Sequence, residues 1–310
     1  MRILFICSGL KNGEPSPIIA SQANSIRDLG YDIEYYTLKE KGFKGYLKEI
    51  FILRKYLKNN SFNIYHAHYG LSAIVATLAG AKPLVVSLMG SDVKEGGWQK
   101  WLIKWFVKRR WSKTIVKSEE LAKLVGKDYC KTIPNGVDID KFKPLPTESS
   151  RQKLSLNENK AYALFGSNPE RAEKNYKLAK KAIELLDNDN IELIYLKDVA
   201  HCDVPLWLNA ANLIILSSLW EGSPNIIKEA MACNRPIVST KVGDVEWLFG
   251  NETGHFIANF DAQDYATQLN LAIAYAREFG STQGRQRIIQ LGLDSEKVAE
   301  RIISIYNSII

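Results

Sequence analysis

The sequence predicts an α/β protein built from two doubly wound parallel-sheet domains. Three observations predict it. Short apolar runs alternate with amphipathic stretches from one end of the 310-residue chain to the other, the pattern of a parallel sheet with helices on both faces. The alternation breaks once, at TIPNGVDIDKFKPLPTESS (132–150), where Pro134, Pro144, Pro146 and a polar tail mark a linker. The length suits two domains of ordinary size, each able to bury a full core.

In the first half RILFI, DIEYYT, IYHAHY, PLVVSL and KTIVK read as strands. PIIASQANSIRDL and LSAIVATLA read as helices, the first opened by Ser16-Pro17. After the linker the strands are AYALFGS, IELIYL, LIILSS and PIVST. The helices are YKLAKKAIELL, VPLWLNAA, PNIIKEAMAC, a stretch near 261–280 and SEKVAERIISIYNSI. The expected domains are 1–143 and 144–310, with the last helix crossing back to the first. Both are Rossmann-like units, expected to face each other across a cleft. Ligands of such sheets bind where the βα loops converge, at the carboxyl ends of the strands.

Composition excludes several classes. The chain is 46% hydrophobic and 24% charged, values of a globular protein. No apolar run approaches the ~20 residues of a membrane-spanning helix. The start, MRILFIC, is short for a signal-peptide apolar region, and KNG follows it at once. Cys7, Cys130, Cys202 and Cys233 lie far apart with no CxxC pair. A reduced, cytoplasmic protein without a disulfide framework or structural zinc is expected.

Charge divides the chain. Residues 1–143 hold 24 basic and 13 acidic residues, a net +11, against 17 and 21, a net −4, in the remainder. The basic half suits an anionic membrane surface, an acidic substrate or nucleic acid. No nucleic-acid motif accompanies it, so nucleic acid is not an expected partner.

The most informative stretch is LWEGSPNIIKEAMACNRPIVST (219–240). Ser223 as N-cap and Pro224 at the first helical position signal a helix start. Glu221 then sits in the strand-to-helix loop and Glu229 in the second helical turn. Between them lies a helix N-terminus, where backbone amides and the macrodipole favour an anion such as phosphate. Hydroxyl groups on either side of that phosphate would suit the two carboxylates. A nucleotide-sugar has this order of parts: ribose, diphosphate, sugar. The plain alternative is an ordinary βα loop beside a solvated helix face.

The pattern E-G-x-P-x-x-x-x-E-A-M-A, then R-P-I-V-S-T and G-x-V-E, resembles the signature of glycosyltransferase family 4, retaining enzymes with the two-domain GT-B fold. Ile133-Pro134-Asn135-Gly136-Val137-Asp138 is similar to the family's linker motif. NIYHAHYGL and SLMGSDV fall at the family's strand ends in the first domain.

The resemblance implies roles by position. Glu221 would contact the donor sugar and Glu229 the ribose. Gly222, Ser223, Pro224, Asn225 and Ile226 would face the sugar and distal phosphate. Lys174 matches a lysine that grips the diphosphate. The arginine that usually accompanies it is Ser167 here, and Arg171 is the nearby cation. In the first domain, Gly13 is the first of a glycine pair whose second member is Glu14. Gly90 and Asp92 of an H-G-x-D motif remain, with Met89 in place of the histidine. Asp92 would reach the acceptor or cap the loop. Glu221, Lys174 and Asp92 are therefore the candidate catalytic residues.

The implied reaction moves a hexosyl group from a nucleoside-diphosphate sugar to an acceptor hydroxyl with retention, in cell-surface polysaccharide or glycolipid assembly. No cofactor or metal is required, and a UDP-sugar is favoured over a GDP-sugar. The acceptor would be a glycan or lipid-linked glycan. His66 and His68 share a strand face and read as structural or cleft residues rather than a metal pair. His201 and His255 show no evident role, and Lys197 reads as a surface lysine or a neighbour of the base. A nucleotide-sugar epimerase of the same architecture and a non-catalytic nucleotide-sugar-binding subunit are the other readings.

Two stretches carry much of the basic charge: 39–60 and GWQKWLIKWFVKRRWSK (97–113). Trp101 and Trp105 share a helix face, with Trp98 one turn earlier and Lys100, Lys104, Lys108 and Arg109 beside them. Either the tryptophans pack into the core, or they and the lysines meet a membrane interface. The second reading makes the protein peripheral on the inner face of a membrane.

Overall fold

The computed structural model describes residues 1–10, 13–40, 42–94, 97–186 and 190–310, and at positions 94, 98 and 99 the backbone only. It forms two compact units: Met1–Gly136 with Ser295–Ile310, and Val137–Asp294. The join falls inside the PNGVD run, where the sequence reading set it at 143. The reason is local. Val137 donates its N–H to Leu293 O at 2.9 Å and bridges Asp294, so the chain enters the second unit there.

The first unit runs β1 (Arg2–Ser8), α1 (Pro17–Asp28), β2 (Asp32–Leu38), α2 (Gly42–Asn59), β3 (Ile64–His68), α3 (Gly70–Ala79), β4 (Leu84–Ser87), α4 (Ser91–Lys94), α5 (Gly97–Arg109), β5 (Lys113–Val116), α6 (Glu119–Val125) and β6 (Lys131–Thr132). Its sheet is parallel, in the order β2-β1-β3-β4-β5-β6. β1 is an apolar run, and both it and β3, which carries His66 and His68, are buried on both faces, as central parallel strands are. The direction of strand addition reverses between β1 and β3. With right-handed crossovers, the step from β1 to β2 puts α1 on one face and every later step puts α2 to α6 on the other. The packing agrees. One core joins Leu53, Ala76, Ile103, Phe106 and Leu121 of those helices to Leu4, Ile6 and Val86 of the sheet.

The second unit runs α7 (Thr147–Lys153), β7 (Ala161–Phe165), α8 (Tyr176–Glu184), β8 (Ile191–Tyr195), α9 (Val204–Ala210), β9 (Leu213–Leu216), α10 (Asn225–Ala232), β10 (Ile237–Thr240), α11 (Val245–Phe249), β11 (His255–Ala258), α12 (Ala262–Phe279) and α13 (Gly284–Gln290). Its parallel sheet, β11-β10-β9-β7-β8, repeats the topology of the first, with the reversal between β7 and β9. α7 begins inside the stretch read as linker. Its Arg151 is buried and donates to Ala210 O, Glu158 O and Asn212 Oδ1 at 2.9–3.0 Å, which ties the helix into the unit.

The last helix, α14 (Ser295–Asn307), belongs to the first unit and packs on α1. Its Tyr306 hydroxyl lies 2.5 Å from His66 Nδ1, and His66 Nε2 lies 2.9 Å from Ser87 Oγ. His68 stacks on His66 with ring centroids 4.3 Å apart. Burial holds the His66 pKa well below its ordinary value and pushes that of His68 down to about 3, so both are neutral. Among the described residues no group of three His, Cys, Asp or Glu is placed to hold a metal.

The tryptophans of α5 do not all enter the core. Trp111, just after the helix, is buried and donates Nε1–H to Thr77 Oγ1 at 3.0 Å. Trp101 and Trp105 are 70% and 41% exposed. Ile103, Phe106 and Val107 supply the buried face instead, and the Trp98 side chain lies outside the described residues. Among the described residues no helix is long and apolar enough to cross a membrane.

Replacing Tyr306 by Phe leaves a ring nitrogen of a fully buried histidine without its partner. The expected cost is about 1–3 kcal/mol, read as a lowered urea midpoint with an unchanged slope.

Candidate functional site

In an open parallel sheet the two crossovers that leave the reversal point run over opposite faces, and a crevice remains at the carboxyl ends of the strands between them. In the second unit that point is flanked by the loop after β7 and the loop after β9. Each carries one of the residues singled out in the sequence. Lys174 comes from the first and Glu221 from the second.

The two meet. Lys174 Nζ lies 2.5 Å from Glu221 Oε1, and both side chains are 13% exposed. Ser218 Oγ donates to the same carboxylate oxygen at 2.7 Å. The loops are stitched together behind this pair. Ser217 Oγ donates to Lys174 O and Asn175 O at 3.1 and 2.9 Å, and Leu219 N–H donates to Glu173 O at 2.9 Å. Gly166, at the end of β7, is required by close packing, since a Cβ there would lie 2.6 Å from Ile226 Cγ1. The start of α10 is thereby pressed onto the end of β7.

The helix start itself corrects one expectation. α10 begins at Asn225, with Pro224 in the N-cap position and no side-chain cap. Ser223 is not the cap. Its Oγ accepts from the ammonium of Lys228 at 3.0 Å. The cause is a buried support beneath the loop. Lys228 is 1% exposed, and Asp244, 9% exposed, lies against the same group. Burial pushes the Lys228 pKa down to about 8 and raises that of Asp244, each opposed by the other's charge. Gly243 has φ +57°, and a Cβ on it would come within 2.5 Å of Gly222 O. The Glu221–Pro224 loop is thus seated on glycine backbone and a buried lysine, with the uncapped N-terminus of α10 at its end. Such a terminus attracts an anion through its amides and dipole.

Glu229 lies one turn into α10, 8% exposed. Sequence reasoning missed its partners. His201 Nε2 is 2.9 Å from Glu229 Oε1, and His201 Nδ1 is 3.0 Å from Lys141 Nζ. An ammonium donating to Nδ1 selects the tautomer that carries its proton on Nε2, so the ring donates to Glu229. Lys141 is positioned in turn by Asp138, whose Oδ1 accepts from Asp140 N and Lys141 N at 3.1 and 2.9 Å. Arg285 of α13 donates to Ile139 O and Phe142 O at 2.8 and 2.9 Å and holds the turn from outside. The PNGVD aspartate was the one available signal, because an Asp followed by a polar turn implies a local backbone cap.

The other candidates are placed as follows. Ser167 continues β7 in a tight turn, its N–H donating to Phe165 O at 2.8 Å. Arg171 is turned to Glu173, Nε to Oε1 2.8 Å, with its side chain 56% exposed, so it does not join Lys174 in this structure. Lys197 pairs with the exposed Glu170 at 2.5 Å. His255, partly buried, is stacked on Phe249 with ring centroids 4.8 Å apart. In the first unit, Gly13 has φ +81° with open space where a Cβ would stand, a conformation that favours glycine. Asp92 is 5% exposed and accepts from Gly90 N, Gly70 N and Met89 N at 2.8, 3.0 and 3.2 Å. Of its two expected roles, these bonds perform the loop cap, tying the end of β4 to the start of α3.

Residues 12–141 match the model described as "Glycosyltransferase Family 4", and residues 151–274 the model "Glycosyl transferases group 1". The chain is 28% identical over 234 residues to a Bacillus subtilis protein named as a teichuronic acid biosynthesis glycosyltransferase, TuaC, covering 66% of this chain and 59% of that protein. It is 24% identical over 263 residues to an Escherichia coli UDP-Gal:alpha-D-GlcNAc-diphosphoundecaprenol alpha-1,3-galactosyltransferase, covering 70% and 68%. The chain thus spans only part of the length of these curated relatives. Two solved structures share the fold over 99% of the chain. Sucrose-phosphate synthase from Thermosynechococcus elongatus has TM-score 0.79 at 16% identity and is covered to 99%. Anabaena Alr3699/HepE in complex with UDP-glucose has TM-score 0.76 at 17% identity and is covered to 100%.

The buried lysine makes a pH prediction. Its folded pKa lies below its unfolded value, so between about pH 8 and 10.5 the unfolded chain binds more protons than the folded one. Stability contributed at this position therefore rises with pH across that window. Lys228→Met removes the rise. Urea midpoints of wild type and variant, measured from pH 7 to 10, should converge or diverge in that direction alone, with wild type gaining on the variant as pH increases.

Proposed function

The chain belongs to glycosyltransferase family 4, and from that premise we propose that it is a retaining hexosyltransferase with a nucleoside-diphosphate sugar as donor. The observation that carries the proposal is the Lys174–Glu221 pair at the strand-order reversal of the second unit, in the loop that leads into the uncapped start of α10.

In this reading the diphosphate takes the place of Glu221 as the partner of Lys174. The first amides of α10 share its charge, and Ser223, Asn225 and Ile226 line its path. Glu221, still held by Ser218, is then released to accept from hydroxyls of the sugar. Glu229, oriented by His201, accepts from the ribose. The leaving diphosphate gains negative charge as the anomeric bond breaks, and a preorganised cation with helix amides stabilises that charge most where it develops. Retention follows from a front-face route in which the leaving phosphate takes the acceptor's proton, so Glu221 positions and stabilises without attacking. The route calls on no cofactor or metal. A UDP-sugar is the favoured donor, supported by the UDP-glucose complex of one structural neighbour and the UDP-Gal in the name of one relative. The acceptor proposed is a glycan or lipid-linked glycan of a cell-surface polymer, reached by a protein working at the inner face of a membrane.

A panel of UDP, GDP, ADP and their sugars in a thermal-shift assay tests the donor. UDP and one UDP-sugar should raise the melting temperature with concentration, as ligands of the folded state must. Lys174→Ala should weaken UDP binding about tenfold to a hundredfold, the worth of charge-assisted hydrogen bonds. Glu221→Ala should lower transfer by about a hundredfold, and full activity in that variant would sink the site assignment. Epimerised donor formed without acceptor would support the epimerase reading instead.

His201→Ala leaves Glu229 without the group that orients it. The expected result is a donor KM raised several-fold with kcat little changed, because ribose contacts bind ground and transition states alike.

A further inference from the structure

The two faces of the first unit differ in chemistry in a way that its fold does not require. One face is covered by α1 and α14. Together these helices hold three basic and three acidic residues, and neither exposes a large apolar side chain. The other face is covered by α2, α3 and α5, with α6 at its edge. On α2, Phe43, Leu47 and Phe51 recur every fourth residue and are 77%, 43% and 68% exposed. On α5, Trp101 and Trp105 repeat the spacing. Leu78 of α3, between them in the helix layer, is also exposed.

These side chains stand among cations. α2 and α5 carry nine Lys and Arg residues against one acid, Glu49. Glu49 is 3% exposed, and its carboxylate is turned inward to Tyr36 Oη and the N–H groups of Lys39 and Glu40. It contributes nothing to the outer surface. Cations and rings are interleaved: Arg54 lies over Phe51 at 6.0 Å, Arg110 over Trp105 at 5.9 Å and Lys108 over Tyr129 at 5.2 Å. Among the described residues, Glu40 pairs with Lys48 near the start of α2 at 2.6 Å, and Glu119 and Glu120 of α6 stand at the edge of the face.

We infer that the α2–α3–α5 face docks on an anionic lipid bilayer. Exposed Trp and Phe residues at helical spacing fit the headgroup region, where amphipathic rings partition. The surrounding Lys and Arg residues complement an anionic leaflet. Both ingredients lie on one face because the crossovers from β2 to β5 all run over that side of the sheet. A protein partner of the same chemistry would need an acidic, apolar surface; a lipid leaflet supplies both properties over any area. The inference identifies the surface for the membrane-associated acceptor proposed above, and rests on that reading for its purpose but not for its test.

The test is co-sedimentation of the full chain with vesicles of phosphatidylcholine alone or with about a third phosphatidylglycerol. The chain should pellet with the mixed vesicles at low salt and be released at 0.5 M NaCl, where the Debye length falls to about 4 Å. Lys104→Glu with Lys108→Glu, and separately Trp101→Ser with Trp105→Ser, should each reduce the bound fraction at least tenfold. Lys297→Glu with Arg301→Glu on the opposite face should not. UDP-induced thermal shift, a property of the second unit, should survive in all three variants and reports their folding. Equal binding to both vesicle types, no binding, or binding unaffected by the α5 variants overturns the inference. So does a vesicle-independent dimer that the tryptophan variant dissolves, which would assign the face to a second copy. Loss of the UDP response in wild type would instead count against the donor reading, whatever the vesicles do.

Discussion

The reversal of strand order between β7 and β9 is the constraint on which the candidate site depends. A sheet that grows in both directions from its first strand sends its crossovers over opposite faces. The loops after those strands then part to opposite faces and leave a crevice between them. A cation and a carboxylate from sequence positions far apart can meet there, and they do, as Lys174 and Glu221. Everything else around them fixes this meeting. Ser217 locks one loop to the other, Gly166 lets α10 approach, and Gly243 lets the second loop lie flat on its neighbour.

The supporting groups form two separate systems. Lys228 and Asp244 lie under the loop and hold Ser223, at the cost of two buried ionisable groups. Asp138, Lys141 and His201 form a relay that ends on Glu229. Neither system is placed to touch the reacting atoms in the proposed reaction. Each restricts the rotamers of a residue that would contact the donor, Ser223 in one case and Glu229 in the other, which is how a binding constellation is held to the tolerance that chemistry needs.

Much of this was legible in the sequence, for physical reasons that vary by residue. Most of the longer strands and helices show their period, so the alternating pattern could be read directly, although α2, 18 residues long, reads only as a basic stretch. β6, β11, α4 and α11 span two to five residues, too few for a period to register. Glu221 and Glu229 were visible because a proline and a strand end bracket a helix start. The helix itself begins one residue later than Ser223-Pro224 suggested, since Lys228 claims the serine hydroxyl from below. His201 was invisible because its partners come from 60 residues before it and 28 after it, and no local pattern encodes such a meeting. The exposure of Trp101 and Trp105 was undecidable for a related reason. A helix offers several apolar faces, and only the packed sheet shows that Ile103 and Phe106 take the inner one.

The placement of α14 has a consequence for how the protein is made. The first unit is discontinuous: Met1–Gly136 leaves the ribosome before the second unit, but α14 leaves it after the second unit. The second unit, Val137–Asp294, is complete before the first. Until α14 arrives, His66 lacks its tyrosine partner and the inner face of α1 lacks its cover. The usual order, in which domains finish folding from the amino end, is inverted here. The half that emerges first closes last, and a chain stopped before α14 would hold a finished second unit beside an unfinished first.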